Sequence, residues 1–205
     1  MINAPVLLGI FLCVLSAAPA AAQGESAAAQ GTPGAQAFRT TGLTLGVGLT
    51  GAAATFEGGD HTTRGVGVGL RAGYGVGRFT LLAGVAAERM DVGTYTLAQL
   101  DLGGRYLFSD ARLRPYVQGA LSARVARKTL SGWVQRTIEV RSLGPSAGAG
   151  AEYEISPRVA LDVGVLYTGG KYTHGHYTGE PWEELGADAY DGRSLRLDVG
   201  VVVRP

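Results

Sequence analysis

The segment 169–192 concentrates the side chains best suited to chemistry. His174 and His176 stand two residues apart, near Glu180, Glu183, Glu184, Asp188 and Asp191, a mixture of imidazoles and carboxylates of the kind that holds a divalent metal. Tyr172, Tyr177, Trp182 and Tyr190 are interleaved with them and offer rings with one apolar and one polar end, suited to contact with another macromolecule. Gly144-Pro145-Ser146-Ala147-Gly148 reads as G-x-S-x-G, and Asp162 and then the two histidines follow in a nucleophile, acid, base order. Gly46-Val47-Gly48-Leu49-Thr50-Gly51 reads as the G-x-G-x-x-G of a phosphate-cradling turn.

Each chemistry needs a frame, and the frames are missing. A nucleophile elbow is a sharp strand-to-helix turn, yet the residues after Ser146 alternate Ala and Gly with period two. A dinucleotide turn opens a helix, yet 52–56 run straight into Glu57-Gly58-Gly59-Asp60 with no helical period. In a chain with 33 glycines among 205 residues such glycine motifs arise by coincidence. Loop histidines and carboxylates without a rigid frame read as a solvated surface. The expectations are therefore no catalytic residue, no cofactor and no metal, with Tyr172, His174, His176, Tyr177, Trp182 and Tyr190 as a surface for contact with a partner.

What does position side chains here is a period-two alternation in blocks of about ten residues. Leu43, Leu45, Val47 and Leu49 alternate with Thr44, Gly46 and Gly48; Leu195, Leu197, Val199, Val201 and Val203 alternate with Ser194, Arg196, Asp198 and Gly200. Strand side chains point alternately to opposite faces, so one face is continuously apolar and the other small or charged. Eight such strands are expected, at 41–50, 64–76, 79–88, 94–108, 113–127, 142–155, 159–168 and 194–203. A soluble barrel would carry its polar face outward. Here charge belongs inside and the apolar face meets lipid.

Arg71, Glu88, Asp101, Arg105, Arg114, Arg124, Glu152, Glu154, Asp162, Arg196 and Asp198 all fall on the inward face. In a narrow lumen they must pair, since an isolated buried ion costs several kcal/mol. Arg105 and Arg114 are expected to pair with Glu152, Glu154 or Asp162 at one mouth. The set reads as a structural plug that specifies register; an ion or solute path along the same residues is the alternative.

Targeting and composition bound the rest. Residues 1–22 carry an apolar run from Val6 to Leu15 and end Ala20-Ala21-Ala22, the pattern of a cleaved secretory leader. The only cysteine, Cys13, lies inside it. Residues 23–40, rich in Ala, Gly and Gln, read as a flexible periplasmic lead and 41–205 as one barrel domain. With 18 basic against 17 acidic residues there is no basic stripe for nucleic acid.

Connections alternate short (75–78, 109–112, 156–158) with longer ones (52–63, 128–139, 169–192), 89–93 alone being short on the second side. Such alternation suits an up-and-down membrane barrel with both termini periplasmic. Tyr74, Phe79, Tyr106, Phe108 and Tyr153 all flank the short turns and would form one interfacial girdle.

The glycine-rich strands, the run 144–153, the hairpin 157–167 and the closing strand 195–203 together resemble the eight-stranded outer-membrane β-barrels of the OmpA-, OmpX- and OmpW-like kind. The resemblance covers 41–205. It implies an all-β, antiparallel, up-and-down transmembrane barrel in the cell outer membrane, bathed in lipid and lipopolysaccharide and monomeric. One departure is the ending Val203-Arg204-Pro205, where such barrels commonly end on an aromatic residue. The function expected is non-enzymatic, structural or in surface contact through outer loops. A narrow porin-like channel is the alternative, and a lipopolysaccharide-modifying barrel enzyme a third reading.

Overall fold

The computed structural model describes residues 41–56, 61–90, 95–130, 136–177, 183–184 and 192–205. Among these every regular element is a strand: β1 Gly42–Phe56, β2 His61–Val76, β3 Phe79–Met90, β4 Tyr95–Leu107, β5 Leu113–Leu130, β6 Arg136–Ser156, β7 Val159–Thr168, β8 Lys171–Tyr177, β9 Glu183–Glu184 and β10 Arg193–Val203. The leader and lead expected at 1–22 and 23–40 lie outside the described residues.

Strands β1 to β7 and β10 form the barrel. Each of β1 to β6 pairs antiparallel with its successor, β7 pairs with β10, and β1 closes the ring against β10 from Leu45↔Val203 to Thr55↔Arg193. Closure leaves none of these eight as an edge along the shared length, which satisfies the backbone in a medium without water.

The register sorts side chains as the alternation requires. Opposite residues share a face, so the rung Phe79, Tyr106, Val117, Ala149 stands outward and the next, Thr80, Arg105, Gln118, Gly148, inward. The outward rows of Leu, Val, Ala and aromatics are exposed: Leu49 is 70% accessible and Val66 74%. Exposed apolar patches on this scale mark a surface meant for another apolar phase.

Two turns are tight. Gly77, at φ +60°, opens the β2–β3 turn in the left-handed region that favours glycine, and Pro157-Arg158 joins β6 to β7.

At the other end the expected strand limits are exceeded. β1 and β2 remain paired out to Phe56↔His61, and β5 and β6 to Leu130↔Arg136, so much of the expected long connections 52–63 and 128–139 is strand. The segment 169–192 also departs from a plain loop. β7 ends at Thr168, and after Gly169-Gly170 strand β8 takes over its place beside β6, pairing Leu143↔Lys171 through Ile138↔Tyr177, with β9 beyond it. Gly170, at φ +135°, and the bonds Gly169 N–H to Pro145 O (3.0 Å) and Gly192 N–H to Gly170 O (2.9 Å) fasten this junction.

Candidate functional site

The lumen is the site in which the inward charges meet. At the mouth beside the short turns, Arg105 is the hub. One Nη donates to Glu152 at 2.8 Å, the other to Gln118 at 3.1 Å and to Asp162 at 3.3 Å. Its guanidinium lies 3.6 Å from the centroid of the Tyr116 ring. Arg71 donates to the same Asp162 at 2.6 Å. Arg114 lies 3.6 Å from Glu154 and 3.9 Å from Glu152, and Arg204 also pairs with Glu152. Arg105, Arg114, Glu152 and Asp162 are all buried.

Glycines make this cluster possible. A Cβ on Gly150 or Gly164 would fall on the Tyr116 hydroxyl. Those two positions on β6 and β7 therefore give Tyr116 the room to lie across the lumen beneath Arg105.

Midway, a belt of hydroxyls and one amide crosses the interior. Gln99 Nε2 donates to Asp101 at 2.7 Å and Thr168 at 3.2 Å; Ser122 donates to Asp101, and the Ser146 hydroxyl lies 2.5 Å from Ser122 and 2.7 Å from Thr168. Arg196 holds Asp101 at 2.8 Å and Asp198 at 3.0 Å. Ser146 is thus a structural hydroxyl in the middle of an antiparallel strand, the opposite of an elbow.

Toward the other mouth the chemistry changes. Arg124, 1% accessible, donates Nε to Ser142 at 3.0 Å, Nη1 to Ser194 at 3.2 Å and Nη2 to the Gly169 carbonyl at 3.3 Å. Neither Arg124 nor Glu88 makes an ion pair among the described residues, a departure from the expectation that every lumen charge is paired. For Arg124 the reason is geometric: three neutral oxygens already occupy its donor fork. Above it Tyr172, reached through the Gly169-Gly170 break, packs with Ala52, Ala54, Met90, Leu97 and Ala126, flanked by Tyr95 and Val140. Tyr172 is 1% accessible, so it is packed inside this end of the barrel and is not the surface-contact residue expected. Its ring occupies space that a side chain at Gly192 would need.

Of the other expected contact residues, His174, His176 and Tyr177 lie on β8, opposite Arg141, Glu139 and Ile138 of β6; Trp182 and Tyr190 lie outside the described residues. Among the described residues no group of three or more His, Cys, Asp or Glu is arranged to hold a metal. Tyr74, Phe79, Tyr106, Phe108 and Tyr153 stand outward at the short-turn end, with Tyr106 and Phe108 edge to face at 5.4 Å between centroids. Below them Arg78 of the β2–β3 turn binds Asp110 of the β4–β5 connection at 2.7 Å. That hydrogen bond raises the Arg78 pKa above its ordinary value.

Sequence reasoning missed Gln99, Gln118, Ser122, Thr168, Tyr116 and Arg204 as network members. Gln118 and Tyr116 fall on the inward face by alternation, but only charge carries a pairing signal there. Arg204 lies beyond the last strand.

A closed antiparallel barrel with an apolar outside, an ionic lumen and an aromatic girdle is what a lipid-embedded barrel requires, and the family comparison agrees. The outer membrane protein beta-barrel domain model matches residues 10–202. The chain belongs to this family. Among solved structures, Neisserial surface protein A is similar at a TM-score of 0.62 and 20% identity, covering 80% of this chain and 97% of that one. A major outer membrane protein of Thermus thermophilus follows at 0.54 and 13%, over 78% and 99%. Ail, the attachment invasion locus protein of Yersinia pestis, stands at 0.52 and 13%, over 80% and 97%, in a complex with the heparin analogue sucrose octasulfate. At these identities the likeness speaks for the fold. No curated protein matches the chain. Membership of the outer-membrane family gives the barrel its location, and its exposed apolar rows are its lipid-facing wall.

Proposed function

We propose that this outer-membrane barrel is a non-enzymatic, non-conducting scaffold that presents the end bearing β8 and β9 to the cell exterior for surface contact. It would be delivered by the leader at 1–22, with its mature N-terminus periplasmic, and would act as a monomer. The observation that carries this reading is the double closure of the lumen. An ionic cluster around Arg105 fills one mouth and Tyr172 stoppers the other. An eight-stranded barrel is only wide enough for side chains to fill, and here large ones do.

The test is conductance. Purified protein in planar bilayers is expected to remain silent, and a variant combining Tyr172→Ala with Arg105→Ala to conduct, because both stoppers are then removed. Large, steady wild-type conductance would overturn the scaffold reading. The contact role is tested on intact cells with sulfated sugars as the first probe, the class bound by Ail. Binding is expected to fall when 178–191 is shortened.

The second reading, a narrow solute path, draws on a cavity of about 50 Å³ lined by Gly46, Gly48, Gly69, Gly84 and Gly103 beside Arg71, Asp101 and Arg196. That is room for a few waters. It is flanked by the two closures.

A further inference from the structure

One rung of the lumen carries oxygen atoms that its protein neighbours do not satisfy. Asp198 of β10 stands opposite Thr50 of β1, Thr50 opposite Gly67 of β2, and Gly67 opposite Glu88 of β3, so three oxygen-bearing residues share the inward face, with no side chain at Gly67 between Thr50 and Glu88. Glu88 is 1% accessible and Thr50 4%. Both carboxylate oxygens of Glu88 and the Thr50 hydroxyl are without a hydrogen-bond partner among the described residues. Burial without a partner is costly for a hydroxyl and more so for a carboxylate.

The charges around Glu88 do not offset it. Arg196, Asp198 and Asp101 are the ionised groups that act on it. Arg196 places Nη2 on Asp101 at 2.8 Å, and its Nε lies 3.0 Å from Asp198. The neighbouring arginines are engaged elsewhere: Arg71 holds Asp162 at 2.6 Å, and Arg124 donates to Ser142, Ser194 and the Gly169 carbonyl. Three carboxylates therefore share the Arg196 guanidinium, beside the cavity of about 50 Å³. Thr50, Asp101, Arg196 and Asp198 line that cavity, and so does Ala86, the preceding inward residue of β3.

We propose that this rung binds a monovalent metal cation of the sodium class, held by the carboxylates of Glu88 and Asp198 and the hydroxyl of Thr50. Carboxylate and hydroxyl oxygens are hard ligands suited to such an ion, and one added positive charge offsets part of the carboxylate excess. The ligand set argues against a divalent ion. Calcium takes about six to eight oxygens, commonly with several carboxylates. Asp101 is already occupied by Arg196, Gln99 and Ser122, which leaves two carboxylates and a hydroxyl. The adjoining space admits a few waters, enough to complete the shell of a small ion. Bound there, the cation ties β3 to β1 and β10 across the inside of the wall, a role that goes beyond the scaffold reading and holds whether or not the lumen conducts.

The experiment folds the purified full-length mature protein from urea into zwitterionic detergent micelles at mildly alkaline pH, in sodium chloride or in choline chloride of equal ionic strength. The melting midpoint is then followed by circular dichroism across sodium concentrations. Wild type is expected to melt several degrees higher in sodium, with a saturating response, because choline is too large for the site. Glu88→Gln should abolish the sodium response and melt in choline at or above wild type, since the unpartnered charge is gone. Thr50→Val should move the response to several-fold higher sodium. Asp198→Asn serves if Glu88→Gln does not fold, and Arg158→Gln at the short-turn end should leave the response unchanged. Identical melting of wild type in the two salts would overturn the proposal, Glu88 then being a neutral acid or reaching Arg196 through water. So would an undiminished sodium response in Glu88→Gln, or calcium giving the same rise at far lower concentration, which would make the site divalent.

Discussion

Arg105 holds the largest share of the ionic lumen because it touches Glu152, Asp162, Gln118 and the Tyr116 face at once. Removing one member of a buried ion pair typically costs about 3–5 kcal/mol, mostly for the partner left behind. Here both carboxylates retain a second arginine, Arg204 or Arg114 for Glu152 and Arg71 for Asp162. Arg105→Ala is therefore expected to lower unfolding stability by about 2–3 kcal/mol, below the usual span. Arg114→Ala, whose ion pairs with Glu152 and Glu154 are longer, should lose less; urea titration of the folded gel band orders the two. Tyr116 makes a second contrast. Gly164→Ala collides with the Tyr116 hydroxyl but with no backbone at short range, so it should destabilise and Tyr116→Phe should rescue part of the loss. Gly150→Ala also meets the Val163 carbonyl, and Tyr116→Phe should rescue it poorly.

At the level of the strand, β8 carries Tyr172 into the barrel end whose closure the proposed function requires. Its base turns through Gly170 at φ +135°, a backbone region that side-chain-bearing residues rarely adopt. Gly170→Val is expected to loosen β8 and withdraw Tyr172, giving faster proteolysis between 171 and 191 while the barrel's folded band persists. Unchanged protease resistance would mean that β8 is held by β6 pairing alone. This strand also shows where sequence reasoning stops. All eight barrel strands were legible because a wall with lipid outside and a packed lumen inside imposes strict alternation on Leu45, Val47, Leu49 against Gly46, Gly48, Thr50 and their counterparts. Beyond the apolar band both faces are free of that demand, so Ala52-Ala53-Ala54-Thr55 and Lys171-Tyr172-Thr173-His174 carry no such signal and read as loop. The inward ionic residues were legible by the same alternation. The partners of Arg105 and Arg114 were legible too, as Glu152, Glu154 and Asp162 at the same mouth; those of Arg71 and Arg196 were not, because pairing across the lumen depends on shear and tilt, which bring Arg71 to Asp162 and Arg196 to Asp101.

For the molecule as a whole, orientation is the property on which the proposed surface contact depends. One end has the Gly77-Arg78 and Pro157-Arg158 turns and the aromatic girdle; the other has β8 and β9. Barrels of this class place short turns in the periplasm and long connections outside. Cysteine introduced at Gly179, in a Cys13→Ser background that leaves no other thiol, is therefore expected to react with an impermeant maleimide on intact cells. Cysteine at Arg158 should react only after the outer membrane is permeabilised. The pair is decisive because each site controls for the other's reactivity: reversed labelling would invert the barrel.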